Sequence, residues 1–222
     1  MSIGTDQHAF FERAFACSAD VARAIGARAR DKRFAAKALI LRQGDPATET
    51  FLLIDGCAHA LRYSADGQVA LLQEFAPGDI FGAVVQLDAA AHPSDVMAVE
   101  PSRTAVFLVV DFVALIEAHA SVGLAVSGLL LRQLRAATDR MAERVILPAT
   151  GRIHAELLRL ARQGDGRTIR PLPVLAAMAV RVHTKRETVS REISNLERRG
   201  LLRREPDALI LTAPQRLEDM LA

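Results

Sequence analysis

The 222-residue chain is half apolar and carries a formal charge of only +2 at pH 7. That length supports two domains with separate cores, and the composition is neither that of a disordered chain nor that of a strongly basic nucleic-acid binder. Cys17 and Cys57 are too few for a disulfide framework or a four-thiolate iron–sulfur cluster. No apolar run reaches the roughly 18 residues of a membrane span, and the charged N-terminus lacks a signal-peptide core, so a cytoplasmic protein is expected. Charge is unevenly placed. Residues 1–150 hold 14 Lys/Arg against 17 Asp/Glu, a net of −3, whereas residues 151–222 hold 14 against 9, a net of +5. An acidic body with a basic tail suits a chain whose DNA-reading part is separate.

In chain order, residues 8–33 read as helical, with Phe11, Phe15, Val21 and Ile25 at mixed helical spacing. From Leu39 to Val110, short runs of Val, Leu, Ile and Phe alternate with turn signals such as Gly44-Asp45-Pro46, Asp55-Gly56, Pro77-Gly78-Asp79 and His92-Pro93-Ser94. That rhythm predicts an antiparallel β-roll of jelly-roll type. Asp66-Gly67, between Leu61-Arg62-Tyr63 and Val69-Ala70-Leu71-Leu72, marks the clearest hairpin. Asp111 is the expected N-cap of a short helix over 112–119.

Ser121 opens a proline-free run to Leu147, about 39 Å of helix at 1.5 Å per residue. Read as heptads, it places Leu130, Leu134, Ala137 and Met141 on one seam, while Val122, Val126, Leu129 and Val145 lie on neighbouring faces. Two apolar faces need two partners: one face covers the chain's own β-domain and the other pairs with a second copy. We therefore expect an α+β protein with a sensor domain (1–120), a dimerisation helix (121–147) and a winged helix-turn-helix (148–222). In the last region Ile153, Leu157, Leu158, Leu160 and Ala161 form a buried stripe. A turn at Gly164-Asp165-Gly166 leads to a possible strand at Thr168-Ile169-Arg170.

Residues 174–211 carry the strongest pattern. A short apolar helix over Val174–Arg181 is followed by a tight turn at Val182-His183-Thr184. A second helix from Lys185 to Arg199 has Thr184 as its expected N-cap and Glu187 at capping-box spacing. Val189, Ile193 and Leu196 form its inward face, and Gly200 closes it. Leu201–Arg204, a Pro206-Asp207 turn and Leu209–Leu211 make a two-stranded wing. The outward face presents Arg186, Glu187, Ser190 and Arg191. Such a helix sets its N-terminal part in the major groove, where Arg pairs with guanine O6 and N7 and Glu accepts from cytosine N4. Thr184, Lys185, Thr188, Arg198, Arg199 and Arg203 are placed for phosphate, fixing register without reading sequence.

The segment TKRETVSREISNLERRGLL (184–202) resembles the recognition element of the CRP/FNR superfamily of bacterial regulators. LRQGDPATETFLLIDGCAHALRYSADGQVALLQEFAPGDIFG (41–82) is similar to that superfamily's cyclic-nucleotide-binding-type β-roll, and LPATGRIHAELLRLA (147–161) resembles its junction to the DNA-binding domain. The resemblance covers nearly the whole chain and implies a homodimer on double-stranded DNA, with RNA polymerase as a partner if the protein activates. It places the FNR-type reading set on Glu187, Ser190 and Arg191, and Arg186 matches the CRP-type Arg-Glu-Thr-Val start. Together these imply a TGA core in each half of a twofold-symmetric operator. His183 stands at a turn position where the family often has Gly.

The effector region departs from the family. The resemblance implies a pocket at Gly82, Ala83, Ser94 and Thr138. Gly82-Ala83 replaces the family's Gly-Glu, and Pro93-Ser94 replaces its Arg-Ser. Alanine offers no acceptor for a ribose hydroxyl, and a buried phosphate without its guanidinium is costly. No productive cAMP binding is expected. Haem sensing of nitric oxide, with His8, His59, His92 or Cys57 as candidate axial ligands, and constitutive binding without any effector are the alternatives. The cofactor thus stays open. An enzyme is not expected: a cupin-like metal site needs several converging His and carboxylate ligands, and His59 stands alone in its segment. No P-loop, nucleophile elbow or dinucleotide fingerprint is present. A stand-alone ligand-binding module would leave the reading helix and wing unexplained.

Overall fold

The computed structural model describes residues 5–63, 69–83 and 91–221. These divide into two compact units, Met1–Ala137 and Thr138–Ala222.

In the first unit, helices α1 (Thr5–Phe15) and α2 (Ala19–Arg28) precede eight strands: β1 (Arg30–Phe34), β2 (Leu39–Leu41), β3 (Glu49–Asp55), β4 (Ala58–Tyr63), β5 (Val69–Phe75), β6 (Ile80–Gly82), β7 (Asp95–Ala98) and β8 (Ser102–Leu108). They form two antiparallel four-stranded sheets, ordered β1-β8-β3-β6 and β2-β7-β4-β5. The expected β-roll is present. Alternation along β3 explains its layers. Phe51 and Leu53 join Phe75, Phe81, Val96 and Val106 in the core between the sheets. Leu52 faces the other way, into a second core with Phe11, Phe15, Ile25 and Phe107. Helix α3 (Val109–Ala118) and the first turns of α4 (Ala120–Ile146) complete that second core through Phe112, Leu115, Val122, Val126 and Leu129.

Two expectations are corrected here. The stretch 8–33, expected to be helical throughout, ends in a strand after two helices. The chain breaks at Ala16 (φ 45°), Ser18 accepts from the Val21 amide to start α2, and 30–34 pairs with β8. Asp111 does not cap α3: the N-cap is Leu108, and Asp111 lies in the first turn, where its charge still favours the helix dipole. The Asp66-Gly67 turn lies outside the described residues, although the strands flanking it, β4 and β5, are paired antiparallel.

The second unit takes in the end of α4, then α5 (Ala149–Arg162), β9 (Thr168–Ile169), α6 (Leu175–Arg181), α7 (Arg186–Arg198), β10 (Leu202–Arg204), β11 (Leu209–Leu211) and α8 (Pro214–Asp219). Ile153, Leu157, Leu158 and Ala161 of α5 meet Val189, Ile193 and Leu196 of α7 in one core. Burying each of the Ile, Leu and Val side chains among them contributes about 1.5–3 kcal/mol. The wing is a three-stranded sheet, β10-β11-β9, rather than two-stranded: 168–169 adds to β11 and covers an edge that the expected hairpin would have left open.

Candidate nucleic-acid interface and effector cavity

Helix α7 is held from below and open above. Val189, Ile193 and Leu196 are fully buried, whereas Arg186, Glu187, Ser190 and Arg191 are exposed. The four residues share one edge because their spacing of three and four follows the helix repeat. Arg191 Nε donates to the Glu187 carbonyl oxygen (3.3 Å), steadying the guanidinium on that edge. The helix end follows its sequence signature: the Leu201 amide donates to Leu196 O (2.9 Å) and the Gly200 amide to Glu197 O (3.0 Å), with Gly200 at φ +67°. Its start does not. The N-cap is Lys185, with no side-chain cap, so the capping box expected of Thr184 and Glu187 is absent. Glu187 sits one position too early in α7 to reach back.

The residues assigned to phosphate divide by exposure. Lys185, Arg198, Arg199 and Arg203 are exposed, while Thr184 and Thr188 are half-buried. Arg203 also pairs with Glu205 (3.2 Å), and Arg204 pairs with Glu197 (3.2 Å), tying the wing to α7.

Beneath α7 lies polar machinery with no motif to announce it. His154 Nε2 and Glu192 Oε1 are 2.7 Å apart and nearly buried, which fixes the rotation of α7 on α5. Arg152 donates to three backbone carbonyls: Val182 (2.9 Å), Leu147 (2.8 Å) and His183 (3.3 Å). His183 adopts φ +49° and contacts the Arg144 guanidinium through its Nε2. Burial, and then Arg144 and Arg152, hold the His183 imidazolium form down, lowering its pKa. Glu143 accepts from Arg159 (2.7 Å), and Arg159 also pairs with Glu156, which reaches Arg181 at 3.5 Å.

Along α4 the exposed large apolar residues are Leu124, Leu131, Leu134, Met141, Val145 and Ile146. Leu124, Leu131, Thr138 and Val145 recur every seven residues, with Ser127, Leu134 and Met141 between them, a two-heptad-position seam. Leu134 (62% exposed) and Met141 (69% exposed) lie on it, and Ala137 is exposed beside it. Leu130 does not lie on it. It is half-buried and packs against the first unit's own core, so the exposed row runs through Leu131 and Thr138 rather than Leu130 and Ala137, while Leu134 and Met141 belong to both registers.

A cavity of about 350 Å³ opens in the first unit. Leu41, Leu72, Phe75, Phe81, Val96 and Leu130 give it apolar walls, and Gln73, His92, Ser94 and Gln133 supply its polar groups. Gly82 and Ser94 are among its lining residues. Ala83 is fully buried and is not a lining residue, and Thr138 is an exposed α4 residue of the second unit. Gly82 is required for steric reasons: at φ +90° its Cβ would stand 2.5 Å from Glu49 O. Among the described lining residues there is no Lys, Arg, Asp or Glu. Burial, partly offset by Asp45, lowers the pKa of His92, which favours the neutral ring.

The candidate haem ligands are scattered. His8 packs over Gly26, His59 lies 2.8 Å from Glu74, and His92 lines the cavity. Among the described residues no three His, Cys, Asp or Glu side chains are grouped to hold a metal ion. No single described helix is long and apolar enough to cross a membrane.

A sandwich over a long helix, followed by a winged helix-turn-helix, defines a class of two-domain DNA-binding regulator. Residues 31–119 match the cyclic nucleotide-binding domain family and residues 151–220 the Crp-like helix-turn-helix domain family. The chain is 31% identical over 186 residues to the cyclic AMP receptor protein of Thermus thermophilus, covering 82% of this chain and 83% of that one. It is 25% identical over 186 residues to the CRP-like cAMP-activated global transcriptional regulator of Mycobacterium tuberculosis, covering 80% and 82%. The fold superposes on the c-di-GMP responsive global regulator CLP of Xanthomonas campestris with a TM-score of 0.76 at 19% identity, covering 87% of this chain and 99% of that one. The chain belongs to the CRP/FNR family of transcription regulators.

Proposed function

We propose that this regulator acts in the cytoplasm as a homodimer on a twofold-symmetric operator with a TGA-type core in each half-site. Residues 1–120 serve as sensor, 121–147 as the dimerisation helix and 148–222 as the DNA-binding domain. The observation that carries the reading is the edge of α7, where Arg186, Glu187, Ser190 and Arg191 are exposed above a fully buried Val189-Ile193-Leu196 base. Flexible charged residues read bases only when the helix beneath them cannot rotate, and this one is packed and pinned. Lys185, Arg198, Arg199 and Arg203 supply phosphate contacts, assisted by the Thr184 and Thr188 hydroxyls. Leu134, Ala137 and Met141, with Leu124, Leu131 and Val145, supply the apolar seam of α4 for the second copy. An activating role would add RNA polymerase as a partner.

The sensor does not respond to cAMP in this reading, although the Thermus and Mycobacterium relatives carry cAMP in their names. The described walls of its cavity bring no cation to a phosphate, and Ala83 and Pro93 replace the acceptor and the guanidinium that the family uses. Selection of bound duplexes from a random library, followed by titration of the selected duplex against salt, tests the DNA reading. A TGA-containing palindrome and a steep salt dependence are expected, and failure to enrich any sequence refutes it. Calorimetric titration with cAMP tests the sensor: micromolar affinity overturns that part.

A further inference from the structure

The turn between α6 and α7 is held by two arginines that touch no part of the reading edge. His183 sits at the centre of this turn at φ +49°, a left-handed conformation that costs an L-residue energy and that Gly adopts freely. The surrounding contacts supply the compensation. From the last turns of α4, Arg144 reaches the Nε2 of His183. From the start of α5, Arg152 spans the carbonyls of Val182 and His183, and its third bond goes to Leu147, the residue that follows α4. A second tie runs alongside: Glu143 of α4 binds Arg159 of α5 at 2.7 Å and 3.0 Å. All of these groups lie in the second unit, whose boundary falls after Ala137, inside α4 rather than at its end.

We propose that Arg144 is a positioning residue for DNA reading, which fastens the end of α4 to the strained His183 turn so that the last turns of the long helix and α7 move as one piece. Each part of the arrangement is needed. An Arg at 144 alone would be a surface cation, and a left-handed His183 alone would be a destabilising choice where Gly would serve. Together they make the conformation of the turn depend on where α4 ends. A shift of that end pulls on the residue four positions before Glu187. The tie rests on the proposed DNA reading only for its consequence in binding; the tie itself is a property of the free protein.

The test is a double-substitution cycle on the full chain. Amide hydrogen exchange at Thr184, whose N–H donates to Ala179 O at 3.0 Å, reports the turn without DNA. Arg144→Ala is expected to speed that exchange by about fivefold or more, because the contact offsetting the left-handed cost is lost. In the His183→Gly background the same substitution should change it little, since Gly needs no offset. Affinity for the duplex selected by the unsubstituted protein, divided by affinity for random duplex at the same salt, should follow the same pattern. Loss of a phosphate contact would instead lower both affinities and the salt slope together. Equal acceleration in both backgrounds, or none in either, overturns the tie. An exchange cycle as expected with no change in the affinity ratio keeps the tie but removes its role in reading. If the unsubstituted protein selects no duplex, the DNA reading fails, and the exchange cycle still decides the tie.

Discussion

The edge of α7 and the cavity of the first unit are both places where this chain would meet something outside itself, and they are built on opposite lines. The edge is exposed, charged and mounted on a fully buried triad. The cavity is walled by Leu, Phe and Val, with neutral polar groups among its described lining and no ionised one. DNA offers a fixed pattern of phosphates and base edges, so residues that read it fall within a narrow set. A cavity of neutral walls is open to many molecules, and in the proposed reading Ala83 and Pro93 remove two side chains by which the family holds a cyclic nucleotide.

The largest expected effect breaks the support under one side of that comparison. Ile193→Ala removes a fully buried side chain from the core of the second unit, at a cost of about 2–5 kcal/mol. That is a large part of what so small a unit has. Thermal melting should show the second unit strongly destabilised, with DNA binding lost and exchange protection in the first unit retained. A loss confined to binding, without destabilisation, would mean that α7 does not depend on this core. Arg191→Ala comes next. It leaves the core alone and should cost about 1–3 kcal/mol of discrimination at a single base position, read by competition between selected and singly altered duplexes. Sedimentation should show the dimer intact.

The third effect separates two leucines four residues apart. Leu134 is 62% exposed on the seam of α4, whereas Leu130 packs against the first unit's own core and lines the cavity. Leu134→Arg should weaken self-association by tenfold or more, about 1.4 kcal/mol, while the melting of the first unit changes little. Leu130→Ala should do the reverse, destabilising the first unit by about 1–3 kcal/mol. If both substitutions act alike, α4 has no division of faces and the assignment of its seam fails.

How far each region was legible in the residues follows the same contrast. Helix α7 was readable because its apolar spacing, its closing Gly200 and its charged edge all follow from local rules. Its cap was not, because Thr184 and Glu187 have the right types but the helix starts one residue late. Strand β1 is not legible in the sequence for a physical reason: Arg30–Phe34 is an edge strand of mostly charged residues, identified only by its partner β8. The face of Leu130 is not legible in sequence, since leucines at 129, 130 and 131 fit several registers and only packing against the first unit's core decides among them. The bonds of Arg152 to three carbonyls leave no trace in sequence at all, because every residue has a carbonyl. The cavity is legible only in part: Gly82 and Ser94 line it, whereas Ala83 and Thr138 do not, and its apolar walls come from strands far apart in sequence.

The smallest effect is a pH slope that the two regions share for different reasons. In the first unit His92 is disfavoured as a cation by burial, with Asp45 pulling the other way. In the second, His183 is disfavoured by burial, then by Arg144 and Arg152, so nothing in the turn offsets the penalty. Both folded-state pKa values lie below the ordinary value near 6.5. Between the folded value and about 6.5 the unfolded chain binds more protons than the folded one, so stability rises with pH across that window and falls as the solution is acidified through it. Melting followed from pH 7.5 down to about 5.5 should show both units weakening. His183→Gly should flatten the slope of the second unit and leave that of the first untouched. His92→Gln should do the converse. A second unit whose slope survives His183→Gly would place the acid-sensitive group elsewhere in that unit.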